Sequence, residues 1–196
     1  MASSETGDGR ARLLEATLSC MADYGYQGTT VRKIAERAEV TAGLVRHHFD
    51  SKESLLIESY RQINQAALAR MAAAARGADG EEIERALERA LRAFFPVDLS
   101  DPRQMRIMAA FWGLVLTNPK IAAIQQATYS AFQAHFVGLI EGHAGPRDDA
   151  REIANGIIAL ADGLWLECCL NPQRMTPEAA IETALGFARA RIAAAD

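Results

Sequence analysis

Residues 29–52, TTVRKIAERAEVTAGLVRHHFDSK, constrain the fold of this chain more than any other stretch. Thr30 and Thr41 are each placed to cap the start of a short helix, Val31 to Ala38 and Ala42 to His48. Val31, Ile34 and Ala35 give the first helix an inward face, and Ala38-Glu39-Val40 makes the turn. Thr41, Ala42 and Gly43 then open the second helix with little bulk, so that its leading end can approach another surface closely. Phe49 packs back as the chain leaves it, and Ser51 caps a longer fourth helix reaching about Ala75. Two short helices, a three-residue turn and an unencumbered leading end are what a helix-turn-helix needs to lie in the major groove.

Charge alone does not establish DNA binding. The 196-residue chain carries a formal net charge of −4, so any basic surface is local or doubled by dimerisation. From Arg32 to Lys52 five basic residues stand against Glu36, Glu39 and Asp50, an excess that a generic helix pair inside an α-bundle could share. The spacing decides. The run T-V-R-x-I-A-x-x-A-x-V-T-x-G-x-V-x-H-H-F-x-S-K-E-x-L resembles the N-terminal domain of the TetR family of bacterial repressors, over roughly residues 10–60. That resemblance implies an all-α homodimer with one DNA-binding head per subunit and a larger effector-sensing, dimerising domain. It implies that Thr30, Arg32, Thr41, Ala42, Gly43, Arg46, His47 and Lys52 contact double-stranded operator DNA. The family usually has glycine where this chain has Glu39, and often tyrosine where it has Arg46. A left-handed Glu39 would cost on the order of 1 kcal/mol, and Arg46 could add a phosphate or a guanine contact.

The rest of the chain is punctuated as helices throughout, with no alternating run long enough for a strand. The first helix is expected over about Arg10–Tyr24, with Gly25 where a helix end favours a left-handed residue. Asp79–Glu82 reads as an acidic start for a fifth helix that ends before Pro96. Asp101-Pro102, Asn118-Pro119 and Thr176-Pro177 each place proline in a first helical turn, and an eighth helix spans about Asp148–Leu170. The expected fold is all-α, about nine helices: a three-helix helix-turn-helix head over 7–67, with the motif at about 30–49, and a helical bundle over 68–196.

Ile121–Ile140 lacks Asp, Glu, Lys and Arg, yet its Gln, Thr, Ser, Tyr and His residues favour a buried helix over a membrane span. The three cysteines form no disulfide framework and Met1–Gly9 lacks a signal-peptide layout, so a cytoplasmic protein is expected. No catalytic set, phosphate loop, metal-ligand spacing or cofactor motif is recognisable, which disfavours the alternative of a helical enzyme or small-molecule carrier without DNA binding.

Asp162 interrupts the apolar run Ile157–Leu166. A carboxylate there needs a partner or a cationic ligand, since burying it alone is costly. With Trp165, and with Phe111, Trp112 or Tyr129 from neighbouring helices, it could form an aromatic-and-acid pocket for an organic cation. Equally, Asp162 could pair across a dimer interface and the tryptophans be core. The segments AFWGLVLTNPKIAAIQQ and IIALADGLWLECCL resemble the choline-sensing repressors of the betaine pathway within the same family, which implies a related small-molecule sensor. Gly156 and Gly163 allow close helix approach, suiting a homodimer built from the helices near 148–170 and 177–193.

Overall fold

The computed structural model describes residues 2–76, 81–95 and 101–193. Among them are nine α-helices and no strand: α1 Ala2–Gly28, α2 Val31–Arg37, α3 Ala42–His48, α4 Lys52–Ala74, α5 Ile83–Phe94, α6 Pro102–Val115, α7 Pro119–Ala144, α8 Ala150–Leu170 and α9 Pro177–Ala193. The caps fall where the sequence places them. The hydroxyls of Thr30, Thr41 and Thr176 accept from the backbone N–H of Lys33, Leu44 and Ala179, and the Asn118 side chain accepts from Lys120 and Ile121. These bonds satisfy N–H groups that have no partner inside the helix. Glu82 occupies the N-cap of α5 without a side-chain cap bond. Asp79 and Pro96, expected to bound that helix, lie outside the described residues.

α1 starts at Ala2 rather than Arg10, because residues 2–9 hold no proline to stop an established helix. It breaks at Gly25, whose φ of 63° and ψ of −175° belong to a region that only glycine enters easily.

Packing divides the chain into two compact units, residues 1–64 with 103–125 and residues 65–102 with 126–196. The first therefore holds the head together with α6 and the first turns of α7. Its core has two parts. One seats α1, α2 and α3 on each other through Leu13, Ala16, Cys20, Ile34, Val45 and Phe49. The other gathers Met21, Leu56, Tyr60, Phe111 and Ile121. In the second unit α9 packs against both α8 and α5. α4 and α5 are also joined by a reciprocal pair of arginines there. Arg70 donates to the Ala93 carbonyl and Arg89 to the Ala74 carbonyl, each closing the carboxyl end of the opposite helix.

α8 is long and apolar enough to cross a membrane by composition, but Ile153, Ile157, Ala161, Leu164 and Cys168 along it are core. The lack of Asp, Glu, Lys and Arg over Ile121–Ile140 within α7 has a similar origin, since Ile121, Thr128, Phe132, Phe136 and Ile140 form one buried stripe.

Gly156 finds its packing partner inside the subunit. A Cβ there would stand 2.6 Å from Cζ of Phe187 on α9, so the close approach expected of a dimer contact is made to the chain's own helix. Gly163, by contrast, is exposed with no neighbour within 4 Å of an added Cβ.

Candidate nucleic-acid interface and effector groove

The helix-turn-helix is built on an apolar underside. Ile34, Ala35, Ala38, Val45 and Phe49 are buried, and Val31 and Val40 pack against the same cluster. The candidate contacts are thereby turned outward, whereas Nε2 of His48 is buried. Thr30, Arg32, Thr41, Ala42, Gly43, Arg46 and His47 are all exposed, so seven of the eight candidate DNA contacts can meet a duplex without rearrangement. A Cβ on Gly43 would meet only the Thr41 hydroxyl, at 3.6 Å. The leading end of α3 is thus as unencumbered as its sequence indicates.

The turn is closed by a Schellman motif. The Glu39 N–H donates to the Glu36 carbonyl and the Val40 N–H to the Ala35 carbonyl, while Val40 supplies the accompanying hydrophobic contact. The motif requires a left-handed residue at the first position past the helix cap, and Glu39 takes it with φ 53°. It is the one non-glycine residue with positive φ among those described.

Lys52, the eighth candidate, is half-buried. Its ammonium donates to the Tyr26 carbonyl at 2.7 Å and stands 4.2 Å from the centre of the Tyr26 ring. Burial lowers its pKa from the usual lysine value. Tyr26 is itself exposed, and its contact with a lysine 26 positions later is set by packing rather than by local sequence. Lys52 opens α4, where Ser51 and Ser54 exchange cap hydrogen bonds.

The candidate effector residues are distributed more widely. Tyr129 and Asp162 come together, the phenol donating to the carboxylate at 2.7 Å across α7 and α8. Trp165 is buried one helical turn along α8. Phe111 and Trp112 belong to the other packing unit. Phe111 is fully buried and stacked on Tyr60, with ring centres 4.6 Å apart, and Trp112 is half-buried on α6.

Tyr129 and Asp162 line an open groove of about 380 Å³, with Ser130, Gln133, Asn155 and Ile158. Gln133 donates to Asn155 at 2.5 Å, a second polar rung between the same two helices. Neither amide stands out in the sequence. Their signal was position: Gln133 is one turn beyond Tyr129, and Asn155 two turns before Asp162. Burial pushes the Asp162 carboxyl up to about 6, against the opposing effect of the Tyr129 hydroxyl. The groove therefore offers a carboxylate near its ionisation point beside an aromatic ring, a combination suited to a cation.

Residues 13–58 match the family described as bacterial regulatory proteins, tetR family, and residues 83–193 match the BetI-type transcriptional repressor, C-terminal. The HTH-type transcriptional regulator BetI of Burkholderia mallei is 33% identical over 181 residues, covering 89% of each chain. A second such regulator, from Chromohalobacter salexigens, is 32% identical over 191 residues, covering 94% of this chain and 90% of its own. Among solved structures, a transcriptional regulator from Pseudomonas aeruginosa PAO1 superposes with a TM-score of 0.84 at 34% identity, covering 94% of this chain and 90% of its own. A regulator from Saccharomonospora viridis, crystallised with choline, shares the fold with a TM-score of 0.73 at 20% identity, covering 95% and 96% of the two chains.

Proposed function

Since the chain belongs to the TetR family of bacterial regulatory proteins, with a BetI-type C-terminal domain, we propose that it represses transcription by binding a palindromic operator as a homodimer and releases it on binding an organic cation. Regulators of this family bind operators as dimers and respond to small-molecule effectors. The finer assignments belong to the same proposal and are supported by this molecule's own surfaces. DNA binding belongs to residues 7–67 and effector sensing and dimerisation to 68–196. Thr30, Arg32, Thr41, Ala42, Gly43, Arg46, His47 and Lys52 make the operator contacts.

The observation that carries this reading is the exposed leading end of α3, capped by Thr41, above an apolar underside. Small residues there permit entry to the major groove, while Arg46 and His47 supply donors for base edges or phosphates. Two heads on one duplex would read half-sites about 34–36 Å apart. Dimerisation through α8 and α9 is supported by their exposed faces. Ala159, Gly163, Leu166 and Leu170 on α8, and Ala179, Thr183 and Ala190 on α9, leave small or apolar surface uncovered in one subunit.

For the effector we assign Tyr129 and Asp162 as the cation-binding pair, with Trp165 supporting α8 behind them. Phe111, fully buried against Tyr60, then acts as core of the unit that contains the head, and Trp112 stays half-buried on α6. The choline bound by the Saccharomonospora viridis regulator makes choline the first cation to try. The test has two arms. R46A/H47A should lose operator binding in a gel shift while remaining a dimer by light scattering; retained affinity removes those contacts. Calorimetric titration with choline should give binding that D162N and Y129F weaken, and equal affinity in all three proteins removes the groove from the reading.

A further inference from the structure

Asn118, at the corner between α6 and α7, makes three hydrogen bonds with one side chain. Its Oδ1 caps α7 by accepting from Lys120 and Ile121, and its Nδ2 donates to Oε1 of Glu53 at 2.9 Å. Glu53 is the second helical residue of α4, next to Lys52. Tyr26, Lys52, Glu53, Leu56, Leu114 and Asn118 surround one recess of about 280 Å³. All of these residues belong to the packing unit that contains the head.

A carboxylate in the first turn of a helix is drawn to the free N–H groups and positive dipole end there. An operator phosphate seated by Lys52 is drawn to the same place. The two anions compete and repel each other. We propose that Asn118 is a positioning residue for operator binding: by tying Glu53 down, it keeps the protein's own carboxylate out of the phosphate seat at the start of α4. The same side chain caps α7, so the first turn of α7 cannot shift against the first turn of α4 without releasing Glu53. This inference rests on the assignment of Lys52 as a DNA contact.

The experiment uses the full chain and a duplex recovered by the wild-type protein from a random-sequence pool, with affinity read by fluorescence anisotropy at fixed salt. N118D keeps a good N-cap but replaces the donor to Glu53 with a second carboxylate. It should bind about tenfold more weakly, the effect of losing one charge-assisted hydrogen bond. N118D/E53Q restores a donor and an acceptor with their roles exchanged, and should return to within about twofold of wild type. E53Q alone keeps an acceptor for Asn118, removes the charge, and should bind at least as tightly as wild type. If K52A is weakened while N118D binds normally, the proposal fails and the Lys52 assignment stands. If K52A binds normally, the Lys52 assignment fails and takes the proposal with it. If N118D and N118D/E53Q are equally weak, Asn118 acts through general packing and the proposal is overturned.

Discussion

The head and the α7–α8 groove treat their polar groups in opposite ways. On α3 the candidate contacts stand exposed above an apolar platform. In the groove the polar groups have already found one another, Tyr129 with Asp162 and Gln133 with Asn155. On the proposed reading a duplex meets the exposed end of α3 without breaking a polar pair there, and only Lys52 has to share its bond to the Tyr26 carbonyl. A cation entering the groove must draw on a carboxylate that is already engaged. Its binding is then linked to the placement of two helices, and to pH.

The sharpest break in this comparison would come from Gly43. Replacing it with leucine should leave the fold as stable as before, since an added Cβ meets only a hydroxyl at 3.6 Å. Operator affinity should nevertheless fall about a hundredfold, because bulk at the leading end of α3 holds both heads off the groove floor. Melting curves and anisotropy on one preparation would check both halves; equal affinity would show that this end of α3 does not enter the groove.

Gly156→Ala should do the reverse, leaving the unit that holds α8 and α9 about 2 kcal/mol less stable than Gly163→Ala does, since both gain the helix preference of alanine but only the first overpacks against Phe187. Gly163→Ala, with open space around it, is the matched control. Urea denaturation of the two variants should separate them, and identical midpoints would contradict the close packing of α8 on α9.

Next in size is Asp162. Its carboxyl is raised to about 6 in the fold, so the folded state keeps a proton that the unfolded chain has released. Its contribution to stability is fully present below the ordinary carboxylate range and is lost as pH rises from about 4 through 6. Wild type should thus lose stability relative to D162N across that window, on the order of 1–2 kcal/mol after solvent screening. Choline binding should show the opposite slope, strengthening as the carboxylate ionises. A pH-independent difference between the two proteins would mean that Asp162 does not titrate there.

The smallest effect belongs to the turn. E39G should stabilise the head by about 1 kcal/mol by relieving the left-handed strain, less whatever entropy glycine adds to the unfolded chain. A drop in melting temperature would show that the Glu39 side chain contributes more than its backbone conformation costs.

These two regions also differ in how much of them can be seen in the sequence. The caps at Thr30 and Thr41, the inward Ile34 and Val45 and the turn through Val40 depend on residues a few positions apart, where helix geometry fixes the relation. The groove depends on Tyr129 meeting Asp162, 33 positions later, and only helix packing decides that. Phe111 illustrates the limit. Its helical spacing is as consistent with pocket lining as with core, and its stack on Tyr60 depends on how α6 packs on α4. Gly156 was legible as a close approach, but not the identity of the helix it approaches. Lys52 is legible as an anion ligand by type and position, whereas the ring and carbonyl that hold it, from Tyr26, are not.

The seven-residue length of α3 has a consequence for how the operator is read. A helix that short does not persist alone in water. It exists because Thr41 closes its start and Val45 and Phe49 are seated below it. The reading surface is thus not a portable part. A peptide spanning residues 41–50 should not compete for the operator, and on heating, sequence discrimination should vanish together with the head's cooperative unfolding rather than fade ahead of it.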